Sequence, residues 1–131
     1  MISFTDLFGG QRAKLVPAAA ISEMQNNGAG FAGFATWLDM TPAHPDMLAI
    51  PDPTSVVQLP WKPEVAWVAA NCVMEDQLVE QAPRNVLQKQ IDSAAKMGLR
   101  IKTGVEAEFF LLNSDGSQIS DELDTAIKPC Y

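Results

Sequence analysis

The chain has 131 residues, of which 16 are acidic and 9 are basic, so its formal net charge at pH 7 is −7. Nucleic-acid binding usually requires a basic patch, so this charge balance argues against a nucleic-acid partner. Hydrophobic residues make up 47% and charged residues 19% of the chain, which predicts a folded domain. No apolar run reaches the roughly 20 residues that span a membrane, and the first residues lack a signal-peptide pattern. We therefore expect a cytoplasmic protein without a membrane partner.

Cysteine and histidine are scarce. Cys72 and Cys130 are far apart and lack the spacing of a metal site or a redox motif, so we interpret both as ordinary thiols. The single histidine, His44, lies between two prolines in a predicted loop, where a solvated side chain is the more common case. Neither residue type predicts a catalytic site.

The first part of the chain consists of short apolar segments separated by glycine and proline. The runs 2–8 and 13–18, with Gly9 and Gly10 between them, predict a β-hairpin. Ser22 is predicted to cap a short helix that extends through Gln25, and the run 26–28 predicts its left-handed end. Further strands are predicted at 30–37, 46–51, 55–59 and 64–74.

The hydrophobic period changes near residue 82. From Pro83 onward a helical stripe is formed by Leu87, Ile91, Ala94 and Ala95. Gly98 is a typical residue to follow the end of such a helix. The segment 99–112 is rich in β-branched and aromatic residues and predicts a strand, and 113–116 predicts a turn.

The predicted strand carries two carboxylates at alternate positions. Glu106 and Glu108 would share one face, roughly 6.6 Å apart at Cα. If that face lined a cleft, a cation would have to offset their repulsion, and hard oxygen ligands suit Mg²⁺ or Mn²⁺. The other interpretation is a solvated polar face, which the spacing alone favours.

Several segments together resemble the glutamine synthetase family. The run 104–111, Gly-Val-Glu-Ala-Glu-Phe-Phe-Leu, is similar to the family's Gly-x-Glu-x-Glu-Phe-Phe-Leu strand. Upstream, 4–9 with 14–18 resembles the first hairpin of the family, and 45–52 resembles its Ser-Asp-Met-x-Leu-x-Pro-Asp segment. The runs 28–35, 59–61 and 123–131 are most similar to the branch called type III, which includes γ-glutamylmethylamide synthetases. The matches are collinear and cover essentially the whole chain.

The resemblance implies an α+β fold in two parts. A β-grasp N-terminal domain, residues 1–82, would be followed by the first helix and strand of a glutamine synthetase catalytic domain, residues 83–131. The chain would then be the N-terminal portion of an ATP-dependent ligase that joins glutamate to ammonia or methylamine through a γ-glutamyl phosphate. Family members assemble as homo-oligomers with active sites between subunits, so a homo-oligomer is expected.

The resemblance also assigns roles to the two glutamates. The family uses ATP and two divalent metal ions, Mg²⁺ or Mn²⁺. By motif position, Glu106 is similar to a ligand of the metal that bridges to the nucleotide phosphates, and Glu108 to a ligand of the metal nearer glutamate. The resemblance therefore favours the metal-binding interpretation over the solvated face, and it assigns no other catalytic or ATP-binding residue within the chain.

Two departures from the family pattern bear on activity. The remaining metal ligands, the phosphate-binding arginines and the lid are expected beyond Tyr131, so the chain alone is expected to be inactive. Many family members carry Phe-Asp-Gly-Ser where this chain has Phe-Ala-Gly-Phe at 31–34, and Ala32 cannot assist ammonium as the aspartate does. The amine, ammonia or methylamine, thus stays open. The alternative function is a non-enzymatic β-grasp module that acts in interaction or assembly.

Overall fold

The computed structural model describes residues 1–117, and the contacts among them form two compact units, Met1–Ile101 and a unit that begins at Lys102. The strands are β1 (Ile2–Thr5), β2 (Gln11–Lys14), β3 (Ala29–Phe31), β4 (Met47–Pro51), β5 (Val57–Leu59), β6 (Lys62–Met74) and β7 (Gln77–Leu78). The α-helices are α1 (Ile21–Asn27) and α2 (Pro83–Lys96), and short 3₁₀ helices span Ala18–Ala20, Gly33–Thr36 and Pro53–Ser55. Cys130 and the run 123–131 quoted above lie outside the described residues.

The first unit is built on one mixed sheet with the strand order β2-β1-β6-β4-β3, and β5 and β7 also pair with β6. β1 and β6 run parallel, with Ile2 opposite Val68, and the other strand pairs are antiparallel. A parallel pair requires a long connection, and here that connection contains α1, β3, β4 and β5. A hairpin followed by a helix and by a later strand parallel to β1 is the β-grasp arrangement. The mixed α+β fold that the sequence predicts is therefore confirmed.

The core lies between this sheet and the segments that cover it. β4 alternates buried and half-buried residues, as expected for a strand with one face toward a core. Fully buried side chains from four different segments meet there: Ile2, Leu38, Met47 and Cys72. Burial raises the pKa of the Cys72 thiol to about 12, so this cysteine stays protonated near neutral pH.

The predicted hairpin is confirmed, although its second strand is β2 (Gln11–Lys14) and not the run 13–18. The first helix differs from the prediction at both ends: it continues two residues beyond Gln25 to Asn27, with the positive φ at Gly28, and its start is also different. α1 begins at Ile21, with Ala20 at the N-cap position, so Ser22 lies inside the helix and is not its cap. The reason is that the 3₁₀ turn Ala18–Ala20 leads directly into α1, and the Ile21 N–H bonds the carbonyl of Ala18. The backbone of this turn thus accepts a hydrogen bond from an N–H at the start of α1, which is the role of a capping side chain in other helices.

The predicted strand 30–37 is too long. The structure has only the three residues of β3, followed by a 3₁₀ helix whose Thr36 hydroxyl donates to the carbonyl of Gly33. Trp37 then adopts a left-handed backbone conformation with φ of 53°. A left-handed residue cannot continue a strand, so the apolar and aromatic composition of this run was misleading about its backbone.

The second predicted strand, 99–112, is not formed either. α2 and the positive φ of Gly98 (74°) match the prediction, and the Gly116 N–H bonds the Asn113 carbonyl at 2.9 Å in the predicted turn. Between them, however, residues 99–111 lie in neither a helix nor a strand. β-propensity describes how well a side chain fits a paired, half-buried surface, and it does not make a strand without that surface.

The structure groups α2 with the sheet in the first unit. The assignment of 1–82 and 83–131 to two domains stays a prediction.

Candidate functional site

The two predicted metal ligands lie in the second unit, within the irregular segment. Glu106 and Glu108 are both exposed, and neither forms a hydrogen bond or an ion pair with another described residue. Residues 99–111 form no strand among the described residues, so the strand geometry from which a shared face was predicted is not observed there. Within residues 1–117 no group of three or more His, Cys, Asp or Glu side chains is arranged to hold a metal ion. The metal-binding role of Glu106 and Glu108 stays a prediction.

The donor chemistry of these two residues nevertheless fits a divalent cation. Both are carboxylates without a protein partner among the described residues, and Mg²⁺ and Mn²⁺ prefer oxygen ligands of this kind. Mg²⁺ takes six ligands and usually keeps several waters, so two carboxylates would supply only part of a coordination shell.

The segment that resembles the family's ammonium-binding loop lies between β3 and β4. Ala32 is exposed and precedes the 3₁₀ helix, and its carbonyl accepts the Ala35 N–H at 3.0 Å. Trp37, at the end of that turn, stacks edge-on against Phe8 with ring centroids 5.6 Å apart. The run 31–38 contains no acidic side chain, so it offers aromatic surface and no proton acceptor to a ligand.

His44 lies in the same loop and has a local structural role. Its Nδ1 lies 3.0 Å from both the backbone N and the hydroxyl of Thr41, and the residue is exposed. This arrangement agrees with the expected solvated loop histidine.

Two charged clusters were not singled out from the sequence. In the first, Asp6 accepts hydrogen bonds from the Phe8 and Gly10 N–H groups at 2.9 and 2.8 Å and from Arg12 Nε at 2.8 Å. Burial opposes ionisation of Asp6, but these hydrogen bonds outweigh it and hold its pKa below the usual value.

The second cluster joins α2 to the sheet. Arg84 donates from Nε to Asn71 Oδ1 at 2.9 Å and from Nη2 to Asp52 Oδ2. Asp52 also accepts from the hydroxyl and the N–H of Thr54, and these bonds, with the Arg84 charge, lower its pKa although burial opposes them. The Asp-Pro-Thr run at 52–54 is a recognisable turn signal, whereas Arg84 is 32 residues from Asp52 and no local pattern predicts that pairing.

Comparison with known proteins agrees with the resemblance. Residues 80–129 match the family model "Glutamine synthetase, catalytic domain". The whole chain is 72% identical to a glutamine synthetase of Rhizobium leguminosarum bv. phaseoli and 36% identical to a glutamate–methylamine ligase of Methyloversatilis universalis. Each alignment covers 100% of this chain and 30% of the relative. Among solved structures, the GmaS/ADP complex superposes with a TM-score of 0.86 at 60% identity, over 99% of this chain and 30% of that one.

These matches identify the protein family. The chain belongs to the glutamine synthetase family, a family of ligases. Within that family it is similar both to a glutamine synthetase and to a glutamate–methylamine ligase, and it spans about 30% of their length.

Within residues 1–117, no helix is long and apolar enough to cross a membrane.

Proposed function

We propose that this chain belongs to an ATP-dependent ligase that joins the γ-carboxylate of glutamate to ammonia or methylamine. The observation that carries the proposal is the Gly-x-Glu-x-Glu-Phe-Phe-Leu run at 104–111 in a chain 72% identical to a glutamine synthetase. In this reaction ATP phosphorylates the γ-carboxylate, and the amine then displaces phosphate from the γ-glutamyl phosphate. The ligase acts in the cytoplasm as a homo-oligomer.

Glu106 and Glu108 are the residues of this chain that hold divalent metal ions. When bound, Mg²⁺ or Mn²⁺ neutralises charge on the phosphoryl group as it is transferred. The contribution of the chain is to present two negative oxygen donors that have no competing cation among their described neighbours. Further ligands must come from elsewhere in the assembled enzyme, because two carboxylates do not complete a coordination shell.

The identity of the amine is the second part of the proposal. Relatives of both kinds, a glutamine synthetase and a glutamate–methylamine ligase, align over the whole chain. Ala32 brings no carboxylate to the run 31–38, and that run contains no other acidic side chain, so it does not discriminate between ammonium and methylammonium. Both amines are therefore substrates to be compared.

The test is a ligase assay on the complete protein encoded by the gene, with glutamate, ATP and either amine. Substituting Glu106→Ala or Glu108→Ala should lower turnover at least about 100-fold, because each removes a ligand to a metal that is required for phosphoryl transfer. Glu23→Ala is the matched control, since Glu23 is an exposed glutamate on α1 and alanine is compatible with a helix. It should leave turnover unchanged.

Normal turnover in the Glu106→Ala protein would contradict the metal-binding role. Absence of any ligase activity in the complete protein, together with stable binding to an active synthetase, would instead support the non-enzymatic assembly module.

A further inference from the structure

In the first unit, α2 turns its polar face toward an open cleft that lies between the helix and the segment 76–80. The cleft has a volume of about 580 Å³, which is within the usual range for small-molecule sites. Its lining residues on α2 recur at the spacing of a single helix face: Asn85, Gln88, Lys89, Asp92, Ser93 and Lys96. The apolar stripe faces elsewhere, since Leu87 is 58% exposed and Ile91 is 43% exposed. Burial of apolar surface therefore does not explain why the polar face of α2 is turned to the cleft.

Asn85 places a free hydrogen-bond acceptor in this cleft. The residue is 7% exposed, and its Nδ2 donates to the carbonyls of Cys72 and Val79 at 2.8 and 2.9 Å. Because these two bonds require the amide nitrogen, they fix which end of the side chain is the oxygen. Oδ1 accepts no hydrogen bond from residues 1–117 and is not fully enclosed, so its free surface lies in the cleft that the residue lines. A largely buried amide with this orientation favours a ligand that carries an N–H donor.

Charged groups of both signs line the same cleft. Lys89 and Lys96 bring two ammonium groups from α2, and Asp76 and Glu80 bring two carboxylates from the other segment. Asp76 is held in the two-residue turn between β6 and β7, where its φ is 61°. Over the described part of the chain, none of these four side chains forms an ion pair. Unpaired charges of opposite sign on the two walls match a small ligand that itself carries both charges.

The composition of the cleft argues against other kinds of occupant. Asp92, its fifth charged side chain, accepts a hydrogen bond from Gln88 at 2.8 Å, so the cleft holds three carboxylates and two lysines. A simple anion would meet the carboxylates, and a simple cation would meet the lysines. An apolar partner surface would bury unpaired charges, which is costly. No group of three or more potential metal ligands is arranged around a common point within residues 1–117.

We propose that this cleft binds a small zwitterion of the α-amino acid class. The carboxylate of the ligand pairs with the ammonium groups of Lys89 and Lys96. Its ammonium group donates to the carboxylates of Asp76 and Glu80 and to Asn85 Oδ1. The site lies wholly within the first unit and requires no metal ion, so it does not depend on the proposed ligase function.

The experiment is an NMR titration of the ¹⁵N-labelled chain with L-alanine, and separately with propionate and ethylammonium, which each retain one of its two charges. L-Alanine should shift the side-chain amide signals of Asn85 and the backbone signals of α2 in a saturable way. The dissociation constant should be on the order of 1 mM, as suits a small ligand in an open cleft. Propionate and ethylammonium should bind at least about ten-fold more weakly at the same ionic strength, because each leaves one wall unpaired.

Lys89→Met and Glu80→Gln test the two walls separately. Both side chains are exposed, so neither substitution should unfold the chain. Each should weaken the binding of L-alanine about three-fold, and the double variant about ten-fold. Lys62→Met and Glu64→Gln are the matched controls, since they remove the same charges from an exposed ion pair near the opposite end of β6. They should leave the binding of L-alanine unchanged.

Equal affinity for L-alanine and for either single-charge compound would overturn the inference, because the cleft would then be a site for a simple anion or cation. Unchanged binding in both Lys89→Met and Glu80→Gln would overturn it too, as would the absence of a saturable shift at the cleft. Ligase activity is not a readout in this experiment, so none of these results affects the proposed function.

Discussion

Asp6 holds the turn between β1 and β2 through its carboxylate, and this makes the hairpin sensitive to acid. Its native pKa lies below the unfolded value of 3.8, because the Gly10 and Phe8 N–H groups and Arg12 outweigh the cost of burial. A lowered native pKa contributes stability that is fully present above 3.8 and is lost as the pH falls through the native pKa. Asp6→Asn should therefore lower the free energy of unfolding at neutral pH and flatten its decline in acid, as measured by urea unfolding across that range.

A second variant separates the contribution of Arg12 to the lowered pKa of Asp6 from that of the backbone N–H groups. Arg12→Met removes one hydrogen bond and one charge but leaves both backbone N–H donors on Asp6. It should flatten the acid decline less than Asp6→Asn does. An Asp6→Asn chain with the acid profile of the unsubstituted chain would show that this turn does not govern acid stability.

At the scale of elements, the end of α1 depends on a glycine. Gly28 has φ of 73° and ψ of 168°, a region that is essentially open to glycine alone. A Cβ built there would lie 2.8 Å from Ile50 Cδ1 and 2.9 Å from Leu48 Cβ, both on β4. Gly28→Ala should therefore lower the free energy of unfolding by about 1–3 kcal/mol, from backbone strain and overpacking together.

The matched control for this substitution is Gly98→Ala at the end of α2. Gly98 has nearly the same φ, 74°, but a Cβ there would meet nothing within 4 Å. Gly98→Ala should therefore lower the free energy of unfolding only by the backbone penalty of a positive φ, about 1–2 kcal/mol. Equal losses in the two variants would show that β4 moves away from the added methyl group at no cost.

The elements also show which sequence signals are reliable. Glycine, proline and turn-forming residues were reliable signals: Gly28 and Gly98 have positive φ after α1 and α2, residues 113–116 form a turn, and α2 begins at Pro83. Apolar composition was a poorer guide to strands. Of the two predicted strands 30–37 and 99–112, the first is reduced to β3 (Ala29–Phe31), and residues 99–111 form no strand. Turn chemistry is decided within a few residues, whereas a strand depends on a partner that may lie anywhere in the chain.

At the scale of the whole molecule, the sequence predicted more of the fold than of the candidate site. The β-grasp arrangement was predicted through resemblance, and the hairpin and β4 were predicted from short apolar segments bounded by glycine and proline. The parallel pairing of β1 with β6 and the Arg84–Asp52 pair join residues tens of positions apart, and periodicity carries no information about them. Glu106 and Glu108 were found by motif, but a coordination shell needs ligands that this chain does not bring together within its described residues.

The chain also presents a large amount of apolar surface at its second unit. Val105 is 97% exposed, Phe109 76% and Phe110 93%, with Leu111 and Leu112 also exposed. Contiguous apolar residues of this size on a soluble protein mark a surface that is covered by another partner or that drives association. We expect this chain to self-associate as its concentration rises, as measured by light scattering coupled to size-exclusion chromatography.

Joint substitution of Phe109→Ser and Phe110→Ser should remove most of that association, because these two rings are the largest exposed side chains of the segment. Trp61→Ser is the comparison, since Trp61 is 80% exposed but lies at the turn between β5 and β6 in the first unit. It should reduce association far less. A chain that stays monomeric at every concentration would contradict the expectation, and equal effects of the two variants would assign association to general hydrophobicity and not to the 105–112 segment.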